Sequence, residues 1–333
     1  MADYRGIEYL RKKLNQKRSR VLRRYKFYEM KNVVRDMGIA TPPSLQWLQS
    51  VLGWNAKAVD SIADRLEFRG FRDDNFDMKG IFQMNNPDIL YDSAVLSALI
   101  SSCCFIYISK GADDFPRLQV IDGSNATGII NPITNLLTEG YAVLERNDYG
   151  NPTVEAYFVE GWTVIYQNGR PDKIFEDNVP APLLVPIIFR PDARRAFGHS
   201  RISRACMSIT ESALRTLKRS EITAEFYSFP QKYVVGLSPD AEQMDKWKAT
   251  VSSLLQFDKD GDGDSPKLGQ FQQQSMAPHL DQLKMFAALF AGETGLTLDD
   301  LGFATENPAS QEAIKASHEN LRLTASCLLY TSP

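Results

Sequence analysis

The segment Asp258-Lys-Asp-Gly-Asp-Gly-Asp264 has the D-x-D-x-D-G spacing with which the first half of a calcium loop sets carboxylates around a glycine turn. Its twelfth position is Gly269, where a bidentate glutamate is needed, so it reads as an acidic surface turn. His199, His279 and His318 lie far apart and none has an HxxxH or HExxH partner; they read as surface or helix-terminus histidines. Ser200 follows Gly198-His199 without a GxSxG elbow, and helix capping explains it better than nucleophilic attack. Asp73-Asp74, Asp113-Asp114 and Asp299-Asp300 are adjacent carboxylates, which diverge on regular structure. There is no GxGxxG and no GxxxxGK[ST] loop, which argues against dinucleotide binding and a P-loop motor. Cys103, Cys104, Cys206 and Cys327 have no CxxC spacing, so neither a disulfide framework nor a zinc ribbon is supported. No enzyme activity, cofactor or metal site is therefore expected.

Charge is distributed unevenly. Residues 1–35 carry 12 Lys/Arg against Asp3, Glu8 and Glu29, a local +9, while the whole chain is −3. Such a head could bind phosphates by counterion release, or it could be a solvated helix docked on an acidic neighbour. Ile7, Leu10, Leu14, Val21, Leu22 and Tyr25 form only a broken apolar stripe, so the segment needs a partner surface. The longest uncharged stretch, residues 93–109, is broken by serines and shorter than the ~20 apolar residues a bilayer requires, so neither a membrane span nor a membrane partner is expected. No apolar core of a secretory signal follows Met1.

The elements that must position these residues follow from periodicity. The 333 residues, 43% hydrophobic and 24% charged, suit a globular chain of two or three domains. Met37-Gly-Ile-Ala-Thr-Pro-Pro43 ends the basic helix. Residues 44–66 have a helical period on both sides of Gly53, and residues 88–102 predict a helix burying Ile89, Val95, Leu96, Leu99 and Ile100. Residues 117–190, after a strand at 105–108, read as an antiparallel meander with strands at 118–121, 141–146, 153–159, 162–166 and 184–189, and Asn168-Gly169 is the strongest hairpin signal. Ile202, Cys206, Ile209, Ala213 and Leu217 predict a helix from Ser200 to about Phe229, with Arg201, Arg204, Arg215, Lys218 and Arg219 on its polar face. A compact insert follows, with a strand at 233–235 and a helix at 239–255. Met276, Leu280, Leu283, Ala287 and Phe290 predict a second long helix to about Glu293. Residues 295–307 are loop-like, and Asn307-Pro308 opens a third helix with a face of small residues, Ala309, Ala313 and Ala316.

Several phrases, taken in order, resemble tailed-bacteriophage portal proteins of the siphovirus type, the head-to-tail connectors. They are Trp54-Asn-Ala-Lys-Ala-Val-Asp60 with Arg65-Leu-Glu-Phe-Arg-Gly-Phe71, Phe197-Gly-His-Ser-Arg-Ile-Ser-Arg204, and Ala224-Glu-Phe-Tyr-Ser-Phe-Pro230. The set continues with Lys267-Leu-Gly-Gln-Phe271, Met276-Ala-Pro-His-Leu-Asp-Gln-Leu283, Leu301-Gly-Phe303 and Asn307-Pro-Ala-Ser310, and it spans residues 40–325. The resemblance implies an α+β fold: a mixed α/β wing, two long stem helices flanking a small α/β clip, and a tunnel loop followed by a helix. By position, residues 1–36 are a basic helix, 37–197 the wing, 198–229 the first stem helix, 230–275 the clip, 276–294 the second stem helix and 295–309 the tunnel loop. The final helix begins at 310 and runs to 325, and the crown is missing. The last seven residues, Cys-Leu-Leu-Tyr-Thr-Ser-Pro at 327–333, look like a translated sequencing adapter.

The function so implied is non-enzymatic: a homo-oligomeric ring of about twelve subunits that passes double-stranded DNA at one capsid vertex. Its implied partners are the terminase large subunit, a head-tail adaptor and the major capsid or scaffolding protein, with assembly in the host cytoplasm and a final place in the virion. Leu296, Thr297, Leu298, Asp299, Asp300, Leu301, Gly302, Phe303 and Ala304 would form the tunnel loop on the DNA. Arg201, Arg204, Arg215, Lys218 and Arg219 would be stem or channel charges. The alternative is a monomeric nucleic-acid-binding protein that uses residues 1–35.

Overall fold

The computed structural model describes residues 4–33, 47–71, 76–111, 115–228, 232–235, 267–270, 275–303 and 315–331. The basic head forms one helix, α1 (Ile7–Tyr28). Of its apolar stripe, Leu10, Leu14 and Val21 are buried, and Phe27 joins them. Each such side chain contributes about 1.5–3 kcal/mol when fully buried, so packing, not the basic sequence itself, holds this helix.

Contacts divide the chain into two units. The first comprises Met1–Asn32, Leu52–Ser208 and Phe290–Pro333, and the second Val33–Val51 and Ile209–Leu289. In the first unit, α2 (Trp54–Ala63), α3 (Met78–Met84) and α4 (Pro87–Ser101) precede the strands. These are β1 (Cys103–Lys110), β2 (Pro116–Asp122), β3 (Ala126–Ile130), β4 (Leu137–Arg146), β5 (Pro152–Val159), β6 (Trp162–Gln167), β7 (Arg170–Glu176) and β8 (Leu184–Ile188). They make a five-stranded antiparallel meander, β3-β4-β5-β6-β7, and a three-stranded sheet ordered β2-β1-β8.

Alternation along β4 assigns the two faces of the meander. Tyr141 and Val143 pack with Leu10 and Leu14 of α1. Ala142, with Ala156 and Phe158 of β5, and Leu137, beyond the register shift at Ile129/Ile130, pack instead against Phe105, Ile121 and Leu184 of the smaller sheet. Between those residues sits Gly140, where a Cβ would lie 2.9 Å from Leu184 Cδ2, so glycine lets the sheets approach. The outer face of the smaller sheet is covered by Ala94 and Ala98 of α4, which pack on Cys104, Val120 and Ile187.

Two glutamates in the α1-facing side of the meander are almost fully buried, Glu139 and Glu155. Glu139 accepts the backbone N–H groups of Arg5 at 2.8 Å and Gly6 at 2.9 Å, and the Tyr157 hydroxyl at 2.8 Å. It thereby sets a negative charge at the α1 N-terminus, which has no side-chain cap of its own. Glu155 receives Arg11 in a two-pronged pair, Nε at 3.0 Å and Nη2 at 2.6 Å, and also accepts the Tyr141 hydroxyl. That pairing raises the Arg11 pKa, and burial followed by the carboxylate bonds holds Tyr141 and Tyr157 above the ordinary phenol range. Both tyrosines stay hydrogen-bond donors. The docked-helix reading of the basic head is therefore the one this structure displays.

In the second unit, α5 (Arg204–Ser228) runs on from Ile209, β9 (Lys232–Val235) pairs antiparallel with β10 (Lys267–Gln270), and α6 (Ala277–Thr294) contributes its residues to Leu289. Thr216 donates to Gln282 Oε1 at 2.9 Å, joining the two helices. The chain closes, in the first unit, with a 3-10 turn at Asp299–Leu301 and α7 (Glu319–Thr331).

Several expectations need correction. The helix predicted before Gly53 is absent over residues 47–53, where Trp47 and Val51 are exposed. In α4 the buried positions are Leu90, Ala94, Ala98, Leu99 and Ile100, while Ile89 is exposed. The residues 184–189 do not continue the meander but return to pair with β1, Cys103 opposite Ile188. The partner of β6 across Asn168-Gly169 is β7, a strand with every residue exposed. Its charges and Pro171 blunt an edge that would otherwise attract another strand. The first long helix starts at Arg204, six residues after the start expected for the first stem helix. The helix at 239–255, the acidic turn at 258–264 and the helix opening at 307–308 lie outside the described residues.

Replacing Arg11 by Met strips Glu155 of its cation, with an expected loss of about 3 kcal/mol in urea unfolding; Glu8→Ala, an exposed partner of the same arginine, should change it by under about 1 kcal/mol.

Candidate functional site

The phrase Phe197–Arg204 proves to be a junction in which nearly every residue holds a different piece of the first unit. Gly198 has φ +68, and a Cβ there would lie 2.1 Å from Phe189 O, so only glycine fits. His199 N–H donates to Phe189 O at 2.9 Å. The Ser200 hydroxyl donates to Ile100 O at 2.6 Å and accepts Ile202 N–H at 3.0 Å. Ser203 is the residue that caps α5, accepting Cys206 N–H at 3.1 Å, and its hydroxyl donates to Glu293 Oε1 at 2.8 Å. Capping was expected of Ser200; the structure moves it three residues on.

The five expected stem charges do not form one group. Arg201 donates through Nε to Ala58 O at 3.2 Å and through Nη2 to Thr294 O, satisfying a carbonyl of α2 and the last carbonyl of α6. Burial lowers its pKa to about 10. Arg204, at the start of α5, is exposed. Arg215 is held by Ser212 Oγ at 2.9 Å, half-buried Lys218 is one turn on, and Arg219 is exposed; these three belong to the second unit.

Of the expected tunnel loop, residues 296–303 are described and Ala304 is not. Gly295, φ +70, ends α6. Thr297 and Asp300 then form a reciprocal cap: Asp300 Oδ2 accepts Thr297 N–H at 2.9 Å and its hydroxyl at 2.8 Å, while Thr297 Oγ1 accepts Asp300 N–H at 3.1 Å. Burial pushes the Asp300 carboxyl up, but these bonds, with His318 and Lys57 nearby, hold it below its usual value. Leu296 and Leu301 are buried anchors, Asp299 and Gly302 are exposed, and Leu298 and Phe303 are half-buried.

No cluster of three or more His, Cys, Asp or Glu suited to a metal occurs among the described residues. His199 binds Asp192 at 2.5 Å and Arg195 at 3.2 Å, His279 approaches Thr223 at 3.4 Å, and His318 lies 3.7 Å from Asp300. Each of the three thus has different partners. Cys103, Cys104 and Cys206 are buried, and burial raises all three thiols, Cys103 to about 11. Sequence reasoning missed Glu139 and Glu155; the available signal was glutamate at inward-facing positions of strands, beside tyrosines.

An α+β body with two long helices around a small β-ladder, and an ordered loop closing the second helix, is the arrangement that the portal resemblance implied. The chain is 27% identical over 318 residues to the Portal protein of Mycobacterium phage L5, and 27% identical over 323 residues to the Portal protein of Mycobacterium phage D29. Each alignment covers 89% of this chain and 65% of the relative, so the chain spans about two thirds of those proteins' length. The resemblance read from the ordered phrases is borne out by these whole-chain relatives. No family model matches the chain. Among solved structures, a chain from the neck of an empty GTA particle aligns with TM-score 0.44 and 14% identity, covering 88% of this chain and 79% of that one. A chain from the virion of a native gene transfer agent particle aligns with TM-score 0.43 and 13% identity, covering 91% and 82%.

Gly198→Ala combines a strained φ with a backbone collision and should cost about 3 kcal/mol or more in thermal unfolding, against about 1 kcal/mol for loss of the cap in Ser203→Ala. At pH 8 a thiol reagent should leave Cys103, Cys104 and Cys206 unmodified until the chain unfolds, because all three are buried and protonated.

Proposed function

We propose that this chain is a phage portal subunit, a non-enzymatic component of a homo-oligomeric ring of about twelve copies that conducts double-stranded DNA at one capsid vertex. The observation that carries the reading is similarity to two portal proteins along 89% of the chain. In this reading residues 37–197 are the wing, the helices either side of residues 230–275 are the stem, and those residues are the clip. The terminase large subunit, a head-tail adaptor and the major capsid or scaffolding protein are its partners, met during assembly in the host cytoplasm and in the virion.

Residues Leu296–Ala304 are the proposed DNA-facing loop. Leu296 and Leu301 anchor it, which leaves Asp299 and Gly302 as its exposed positions among the described residues. Arg204, Arg215, Lys218 and Arg219 are the proposed stem charges, since Arg201 is engaged with backbone carbonyls. Of the segment on which the monomeric nucleic-acid-binding alternative relies, the Arg5 and Gly6 N–H groups and the Arg11 guanidinium are taken up by Glu139 and Glu155 in docking α1 on the sheet.

Native mass measurement with negative-stain imaging should show closed rings with a central hole. Replacing residues 297–304 should keep those rings and lower the DNA packaged. A chain that stays monomeric in both measurements would overturn this reading and bring the alternative forward.

A further inference from the structure

The first unit contains a cleft of about 680 Å³ whose charged lining is one-sided. Lys13, Lys17, Arg20 and Arg24 of α1 face it together with Arg194, Arg195 and Arg204, and no Asp or Glu lines it. The α1 residues recur at spacings of four, three and four, so they form one stripe about 16 Å long. None of the seven makes an ion pair with a carboxylate among the described residues. Two acids beside it have other partners, Glu139 the first N–H groups of α1 and Asp192 the His199 ring and the Arg194 and Arg195 N–H groups.

These cations act on one another. Burial, then Lys17 and Arg5, lowers Lys13 to about 8 although Glu139 opposes the shift. Burial also lowers Lys17 and Arg24, with Arg20 acting on both and Arg195 on Arg24. A fold that half-buries positive groups without counter-charge gains when an anion enters. The remaining surface says which anion. The Phe197 ring is already covered by two ammonium groups, Lys13 Nζ at 5.1 Å and Lys17 Nζ at 5.0 Å from its centroid. Cations thus already lie over the one aromatic ring that α1 meets in this cleft. Ser101, Ser102, Ser200 and Ser203 are among its other lining residues and can donate to phosphate oxygens.

We propose that this cleft binds a run of contiguous phosphate groups, recognised by charge along its length rather than by base identity. A nucleic-acid backbone and a free polyphosphate share that chemistry. No residue of the loop at 296–303 lines it, and the portal reading rests on other observations, so its failure leaves that reading intact.

The test uses the full chain with two probes, a labelled duplex of about 20 base pairs and tripolyphosphate, at about 0.1 M salt. Lys17→Gln/Arg24→Gln discharges the floor and Arg20→Gln/Arg194→Gln the rim. Arg170→Gln/Lys173→Gln removes as much charge from exposed β7, away from the cleft. Each cleft cation removed should weaken duplex binding about tenfold and reduce the slope of log K against log salt by about one, with the β7 pair within about twofold of the parent. Unfolding midpoints of the cleft variants should not fall, because discharging a half-buried cation relieves repulsion, and ring size should be unchanged. Competition by tripolyphosphate supports the phosphate-run site. Binding of tripolyphosphate without duplex supports it too, with free polyphosphate as the source. Binding of neither probe, equal weakening by the β7 pair, or equal competition by a glutamate oligomer would overturn it.

Discussion

Two carboxylates inside a β-sheet are the constraint around which the first unit is arranged. A strand buries alternate residues, so a glutamate at an inward position must find donors that the sheet itself does not supply. Glu139 and Glu155 find them in the tyrosine diagonally across the β4–β5 pair and in α1. Both demands select one placement of that helix: its first residues over Glu139, and Arg11, little more than one turn on, over Glu155. Leu10 and Leu14 then meet Tyr141 and Val143 without further adjustment. Polar pairing fixes the register and apolar burial supplies the bulk of the stabilisation, since a buried ion pair offsets little more than its own desolvation.

The second constraint is the ends of helices. α4 stops at Ser102, in a left-handed conformation, and passes straight into β1; α6 stops at Gly295. Each leaves terminal carbonyls that need donors. Residues 199–203 supply them within a few residues, through the Ser200 hydroxyl, the Arg201 backbone N–H on Leu99 O and the Arg201 guanidinium on Thr294 O. Gly198 makes this possible by turning the chain where any side chain would strike Phe189 O.

What was legible in the sequence followed local rules. Asn168-Gly169 was read as a hairpin because both residues take positive φ, 50° and 78°, and the long helices were read from spacing because their buried faces repeat. The illegible parts depended on partners distant along the chain. β7 has no alternation to read, being exposed throughout, and exists because β6 needs an edge partner. β8 looks like one more meander strand until β1 is seen to have an open side. The apolar period before Gly53 satisfies the helix pattern, yet residues 47–53 are not helical and Trp47 and Val51 are exposed, so periodicity alone was insufficient. The phrase at 197–204 carried the family resemblance, but the task of each residue in it emerges only when four segments converge.

The basic head shows why a charge total is a poor guide to function. Most of its charge lies along a single helix, α1. Arg11 is consumed by Glu155 and Glu8, and it contributes to folding. Lys13, Lys17, Arg20 and Arg24 turn to a cleft that no carboxylate lines, and burial, then neighbouring cations, lowers the hold of Lys13, Lys17 and Arg24 on a proton. The first kind of charge is already satisfied and has little left to give a ligand. The second is held at a cost, and an anion that enters recovers both the direct attraction and the relieved repulsion among its hosts. Affinity for anions therefore belongs to a pattern of unmet charge set by the packing of α1, which neither composition nor net charge displays.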